Sequence, residues 1–203
     1  MANSLARRIT TSRAKTVIGG LAQNNHYMVH FSSLKSSVYS YLKRYVGSDD
    51  LNYFLGEKAG ILCSDASLPG SSYATSEVAN NFMGVPQAFA HTRMYTDLNF
   101  SFYIDDDYKL LRMFEGWMEY ISSGANNIVE QESKGYYRRM RYPDLYKVDT
   151  MTVTKFERDY GQTLKYKFIN AFPKELTPIP VTYGAADLLK VTVLFNFDRY
   201  VVF

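Results

Sequence analysis

TDLNFSFYIDDDYKLLRMFEGWMEYISSG, from Thr96 to Gly124, is the stretch that decides the fold. Leu98, Phe100, Phe102 and Ile104 alternate with Asn99, Ser101 and Tyr103, the period of two that a half-buried strand requires. Asp105, Asp106 and Asp107 follow, and their carboxylates suit the orphan backbone donors and the positive dipole end of a helix start. Leu110, Met113, Phe114, Trp117 and Ile121 then recur at helical spacing, so a helix is expected from Asp107 to Ser122, with Ser123 and Gly124 releasing the chain. The unit reads as strand, acidic cap, amphipathic helix.

Upstream, Tyr27, Val29 and Phe31 alternate against Met28, His30 and Ser32 as a first strand within residues 24 to 34. Residues 35 to 58 interrupt the pattern: Val38, Tyr41, Leu42 and Tyr45 have helical spacing and Gly47 closes it, which gives two short helices or an ordered loop. Ile61 to Ala66 is a short strand candidate, stopped at Leu68, Pro69 and Gly70. Residues 71 to 95, with Phe82, Met83, Val85 and Phe89, read as a β-arm or long loop that either meets a partner or folds back on its own core.

Downstream, Ala125 to Arg141 is polar and ends in Lys134, Tyr136, Tyr137, Arg138, Arg139, Arg141 and Tyr142. Cations interleaved with aromatics suit single-stranded nucleic acid, but with so small a net charge a solvated loop, or a patch paired with acids on a neighbouring subunit, is the favoured reading. Three strands finish the chain: Tyr146 to Phe156, Thr163 to Phe172 and Leu189 to Phe203. Asp159 and Gly161 mark the hairpin between the first two, and Pro173, Pro178 and Pro180 are expected to break the connection before the last.

The 203 residues suffice for one domain burying about 70% of its unfolded surface. Tyr, Phe and β-branched residues favour a mainly β protein with one flanking helix, an α+β arrangement. The net charge of +3 is too small to argue for nucleic acid, but no acid precedes Asp49, while Arg7, Arg8, Arg13, Lys15, Lys35, Lys43 and Arg44 all do. Residues 1 to 24 read as a basic N-terminal extension or, by composition, an organelle transit segment. Nothing is long and apolar enough to span a membrane as a helix.

Chemical equipment is sparse. Cys63 is the lone cysteine, so no disulfide or thiolate cluster forms within one chain. His26 and His30 are four apart in a strand-like stretch without a nearby third ligand. The glycines at 19 and 20 lack the rest of a phosphate loop, and no nucleophile elbow is present. The three aspartates suit a divalent cation in principle, but capping gives them a simpler role. No enzyme, metal or cofactor is expected.

The order of these features resembles the tail tube proteins of T-even-type contractile-tailed bacteriophages and related cyanophages, from about Asn25 onward. Four pieces carry the likeness: the Cys63 strand into Leu68-Pro69-Gly70; Arg93 to Tyr103 running through the aspartates into Phe114 and Trp117; the hairpin from Tyr146 through Asp159 and Gly161 to Ala171, Phe172 and Pro173; and the closing strand through Phe197 and Tyr200. The resemblance implies a single domain over 25 to 203 with an insertion at about 35 to 58. It implies a β-sandwich or partial barrel, six copies of which close into a ring barrel, with rings stacking into a tube. Implied partners are further copies, a sheath protein, a baseplate hub or tube initiator, and double-stranded DNA passing without specific binding through a largely acidic lumen. The virion would be its location, after assembly in the host cytoplasm.

Within that implied frame, Asp97, Asn99, Ser101, Thr152 and Thr154 are the lumen candidates. Phe82, Met83, Val85 and Phe89 are the inter-ring candidates, and Lys109, Arg112, Glu115 and Glu119 are the sheath-facing ones. A baseplate-proximal initiator ring of the same fold is the alternative. From another class, a nucleic-acid-binding module would use the basic leader and Tyr136 to Tyr142.

Overall fold

The computed structural model describes residues 22, 24–79, 84–122, 139–157, 160–161, 163–184 and 186–203. Nine strands are found among them: β1 (Tyr27–Ser33), β2 (Cys63–Ala66), β3 (Ser71–Val78), β4 (Gln87–Tyr95), β5 (Leu98–Tyr103), β6 (Val148–Phe156), β7 (Thr163–Leu176), β8 (Lys190–Asn196) and β9 (Arg199–Val202). Helices are α1 (Ser36–Val46), α2 (Ser48–Tyr53), α3 (Ala59–Leu62), α4 (Lys109–Ser122) and α5 (Pro143–Tyr146), with a π-helical turn at Phe54–Lys58 joining α2 to α3.

Six strands form one antiparallel path, β1-β6-β7-β8-β5-β2, and β9, paired with β7 off this path, makes the sheet seven-stranded. The protein is thus mainly β, as its composition indicates. β7 is 14 residues long because it serves two walls. Its first half lies between β6 and β9, and its second half pairs with β8. Tyr27 Oη donates to the Cys63 carbonyl at 3.0 Å, bridging the first and last strands of the path.

The two walls face each other across an aromatic core. Phe31 of β1 lies 5.7 Å from Phe195 of β8, ring centre to ring centre, and Phe195 also meets Phe100, Phe114 and Trp117. Fully burying each such ring contributes roughly 1.5–3 kcal/mol. The α4 stripe of Leu110, Met113, Phe114 and Trp117 is buried here, as its spacing requires, with Tyr120 rather than Ile121 completing it. Residues 35 to 58 belong to the same core. Val38, Leu42, Leu51 and Phe54 are buried, and the Tyr41 ring lies 5.0 Å from that of Tyr120, tilted by 50°. Gly47, at φ 92, ends α1 in a conformation that only glycine adopts cheaply.

Several boundaries differ from the sequence reading. α4 starts at Lys109 rather than Asp107, because Tyr108 sits at φ 55 after a turn in which its N–H bonds the Asp105 carbonyl at 3.0 Å. Of the three carboxylates, that of Asp105 accepts from a helix amide, the Leu110 N–H, at 3.3 Å. Ile61 is helical and β2 begins at Cys63, since α3 is held against β1: a Cβ on Gly60 would lie 2.9 Å from the Val29 carbonyl. β6 starts at Val148, after α5. β7 runs on through Pro173 to Leu176, although the strand is expected to end at Phe172 with Pro173 breaking it. Pro173 opposes Phe195 at a register shift, the irregular site at which a strand tolerates a missing N–H. The last strand is interrupted at Phe197 and Asp198, yet β8 and β9 keep one register along β7: Phe172 faces Asn196 and Ile169 faces Arg199. Asn170, at φ 59, faces the interruption and donates to Asp198 at 2.7 Å. The β6–β7 hairpin is formed as expected, although Asp159 lies outside the described residues.

Candidate assembly surfaces

The β3–β4 hairpin is a separate two-stranded sheet. Ser71 pairs with Tyr95 and Val78 with Gln87, with a register shift between Ala74 and Thr75. Every residue from Gln87 to Met94 is exposed, so the arm leaves the body rather than folding back on it. Its base is fastened. The Gly70 N–H donates to Thr96 Oγ1 at 2.8 Å, and Tyr95 packs 5.7 Å from Phe197 and 5.2 Å from Tyr200. The Arg93 guanidinium lies over the rings of Tyr73, Tyr95 and Tyr200 at 6.0, 5.2 and 5.6 Å. Beyond this base Phe89 is 55% exposed and Val85 64% exposed, on an arm that also presents Val78 and Met94. Phe82 and Met83 lie outside the described residues. A lone hairpin is marginal in water, so an exposed apolar arm of this kind gains stability by meeting another surface.

The two walls present two outer faces. On the β5/β8 wall, Ser101 Oγ and Thr192 Oγ1 are 3.0 Å apart, and the Asn99 N–H donates to Ser67 Oγ at 3.0 Å. Asp97 accepts from Asn196 at 2.9 Å and from Lys174 at 2.5 Å. Burial acts to raise the Asp97 carboxyl, but these two donors outweigh it and hold the carboxyl below its ordinary value.

On the other wall, Thr152 sits between His30 and Lys167, and Thr154 between Met28 and Lys165. Because the inner faces pack on each other, these outer faces point away from one another. The structure therefore does not bring the five lumen candidates together. Asn99 and Ser101 share one face, Thr152 and Thr154 the opposite one.

Along α4, Arg112 and Glu115 are exposed, Glu119 is half-buried, and Lys109 is paired with Asp107 at 3.1 Å. Arg112, Glu115 and Glu119 border an open cleft with Tyr146, Phe172 and Lys174 on its far side. Of the basic and aromatic cluster, only Arg139, Arg141 and Tyr142 are described. Arg141 is engaged internally: its N–H donates to the Ile121 carbonyl at 3.0 Å, and its guanidinium lies 4.2 Å from the Tyr120 ring centre.

Two features escaped the sequence reading. The Arg93 site joins residues from β3, β4 and β9, which no local pattern connects. The row of Lys165 and Lys167 was visible as lysines alternating with Tyr166 and Phe168, and that alternation was the available signal.

The fold is thus a curled β-structure packed on one amphipathic helix, with a projecting hairpin. The chain belongs to the phage tail tube protein family, whose model matches residues 22–203. Among curated proteins none matches by sequence. Solved structures that share the fold include the sheath–tube complex of an extracellular contractile injection system, PVC, in the extended state, with 12% identity, 95% of this chain and 98% of that chain covered, and a TM-score of 0.52. The tube-terminating cap of the anti-feeding prophage is similar at 11% identity, with 90% of each chain covered and a TM-score of 0.53. The PVC sheath/tube terminator matches at 13% identity over 90% of this chain and 96% of that one, with a TM-score of 0.51.

Proposed function

We propose that this chain is the repeating subunit of a contractile phage tail tube, in which six copies close into a ring and stacked rings conduct double-stranded DNA during ejection. The observation that carries the reading is the β3–β4 arm, exposed along its length and bearing Val85 and Phe89, which buries little until a second copy covers it. Edge pairing supports ring closure. β9 pairs with β7 alone among the described residues, so its other edge is open to a neighbouring subunit's strand. Extending the sheet through β9 makes the outer face of the β1-β6-β7-β9 wall continuous around a channel, with Thr152 and Thr154 in its lining. Asp97, Asn99 and Ser101 then belong to the opposite, outward side.

The relatives of similar fold are described as parts of sheath–tube assemblies, and a sheath meeting the exposed Arg112 and Glu115 side of α4 accords with that. A baseplate hub or initiator would template the first ring. The domain unit is residues 25 to 203, with residues 35 to 58 as an elaboration that supplies part of the core.

Negative-stain electron microscopy of the purified chain across a concentration series tests this. Long hollow tubes with six-fold end views are expected. Isolated rings at every concentration would assign the chain to the initiator role, and a monomer that a baseplate template also fails to assemble would overturn the tube reading.

A further inference from the structure

The outer face of the β1-β6-β7-β9 wall is basic. Its cross-strand rows are Met28, Thr154 and Lys165; His30, Thr152, Lys167 and Val201; and Thr150, Ile169 and Arg199. None of these residues is acidic. Lys165 and Lys167 stand two apart on one strand, so their side chains rise from the same face about 7 Å apart. Arg199 is one strand over, opposite Ile169. Among the described residues no carboxylate pairs with Lys165, Lys167 or Arg199. The carboxylates at the ends of these strands are already occupied: Asp149 by Lys35 at 3.4 Å, Glu157 by Lys155 at 3.4 Å, and Asp198 by Lys147 at 2.8 Å. The opposite wall differs, since its outer face carries Asp65, Asp97 and Glu175 beside Lys174 and Lys190.

We propose that this face, through Lys165, Lys167 and Arg199 with the hydroxyls of Thr152 and Thr154 on the neighbouring strand β6, makes direct sequence-independent contacts to the phosphate backbone of duplex DNA. The departure is from a channel wall that merely repels its cargo. Charge selects an anion, and shape selects among anions. The cations lie on an extended strand face with Lys165 and Lys167 at the strand repeat of about 7 Å, which suits a rod with regularly spaced phosphates better than an acidic peptide. Threonine hydroxyls beside the lysines donate to phosphate oxygens, a common positioning contact. That the face lines a channel rests on the tube reading; the phosphate contact itself belongs to the single subunit.

Three phosphate contacts give a slope of about −2.7 for log affinity against log salt on B-DNA, or about a 40-fold loss between 50 and 200 mM. Fluorescence anisotropy with a 20-base-pair duplex and the full chain, at concentrations where light scattering detects no assembly, reads this slope. The variant K165Q/K167Q/R199Q changes exposed or half-buried side chains and is expected to keep the circular dichroism and melting temperature of the parent. It should lose the salt-dependent binding, whereas R7Q/R8Q/R13Q in the basic leader should retain it.

No binding at 50 mM salt, or binding removed by the leader variant and kept by the face variant, would overturn the proposal. Poly-glutamate competing as well as DNA at equal charge would assign the face to an acidic protein and overturn it too. Electron microscopy of the same preparations separates the two readings. Tubes without DNA affinity defeat the phosphate contact and leave the tube, while face-dependent DNA affinity without assembly, even on a baseplate template, defeats the tube and leaves the contact.

Discussion

The indole Nε1 of Trp117 donates to the backbone carbonyl of Tyr146 at 3.1 Å, so the centre of α4 is tied to the end of α5 just before β6 begins. Trp117 is fully buried against Phe195. Trp117→Phe keeps most of the apolar contact but strands that carbonyl, at a cost of about 1–3 kcal/mol. Trp117→Ala also opens a cavity and is expected to cost about 3–5 kcal/mol. Denaturant melts of the two variants check the order.

Lys58 Nζ lies 2.7 Å from Asp105 Oδ2, and the Leu110 N–H bonds the other carboxylate oxygen. Burial acts to raise the Asp105 carboxyl, but these donors prevail and leave it below its ordinary value. A carboxyl depressed in the folded state adds stability that is fully present above the unfolded value of about 3.9, and loses it as pH falls through the lower folded value. The Lys147 hydrogen bond depresses Asp198 in the same sense. Melting temperature should therefore decline below about pH 4. Asp105→Asn should lower stability at neutral pH and flatten that acid limb.

Arg93 fastens the arm. Removing its guanidinium from Tyr73, Tyr95 and Tyr200 by Arg93→Ala should cost about 0.5–1 kcal/mol per lost ring contact, borne by the hairpin rather than the core. Hydrogen exchange should quicken across residues 71–78 and 87–95 while the amides of β5 and β8 stay protected. Equal quickening in the core strands would show that the site stabilises the whole domain.

Phe89 is the exposed apolar residue on which assembly is expected to depend. Phe89→Asp should leave the unfolding free energy within about 0.5 kcal/mol of the parent, as substitutions away from packed sites do, and abolish long tubes. Normal tubes by electron microscopy would remove Phe89 from the contact between rings.

Local periodicity carried much of the architecture. β5 and α4 were legible because alternation changes to helical spacing at the aspartates, and β1 and the β6–β7 hairpin followed from the same rule. What failed was non-local. Pro173 reads as a breaker in one dimension, but the register shift opposite Phe195 relieves the need for its N–H. Ile61 joins a strand-like run, yet contacts between α3 and β1 hold it helical. Alternation correctly put Asn99 and Thr152 outside the core, but no pattern within either strand reveals that their faces are opposed. That depends on β7 and β8 standing between them. The cationic row had a local trace at Lys165 and Lys167, whereas Arg199 joins it only through the β7–β9 pairing.

β7 belongs to both walls, and β8 and β9 follow it in one register past the interruption at Phe197 and Asp198. A load on either wall therefore reaches the other through peptide bonds, with no slip plane between separately folded sheets. Shear along β7 is shared by the hydrogen bonds on both its flanks at once. The subunit should transmit strain as a stiff element, and its compliance should reside in the arm.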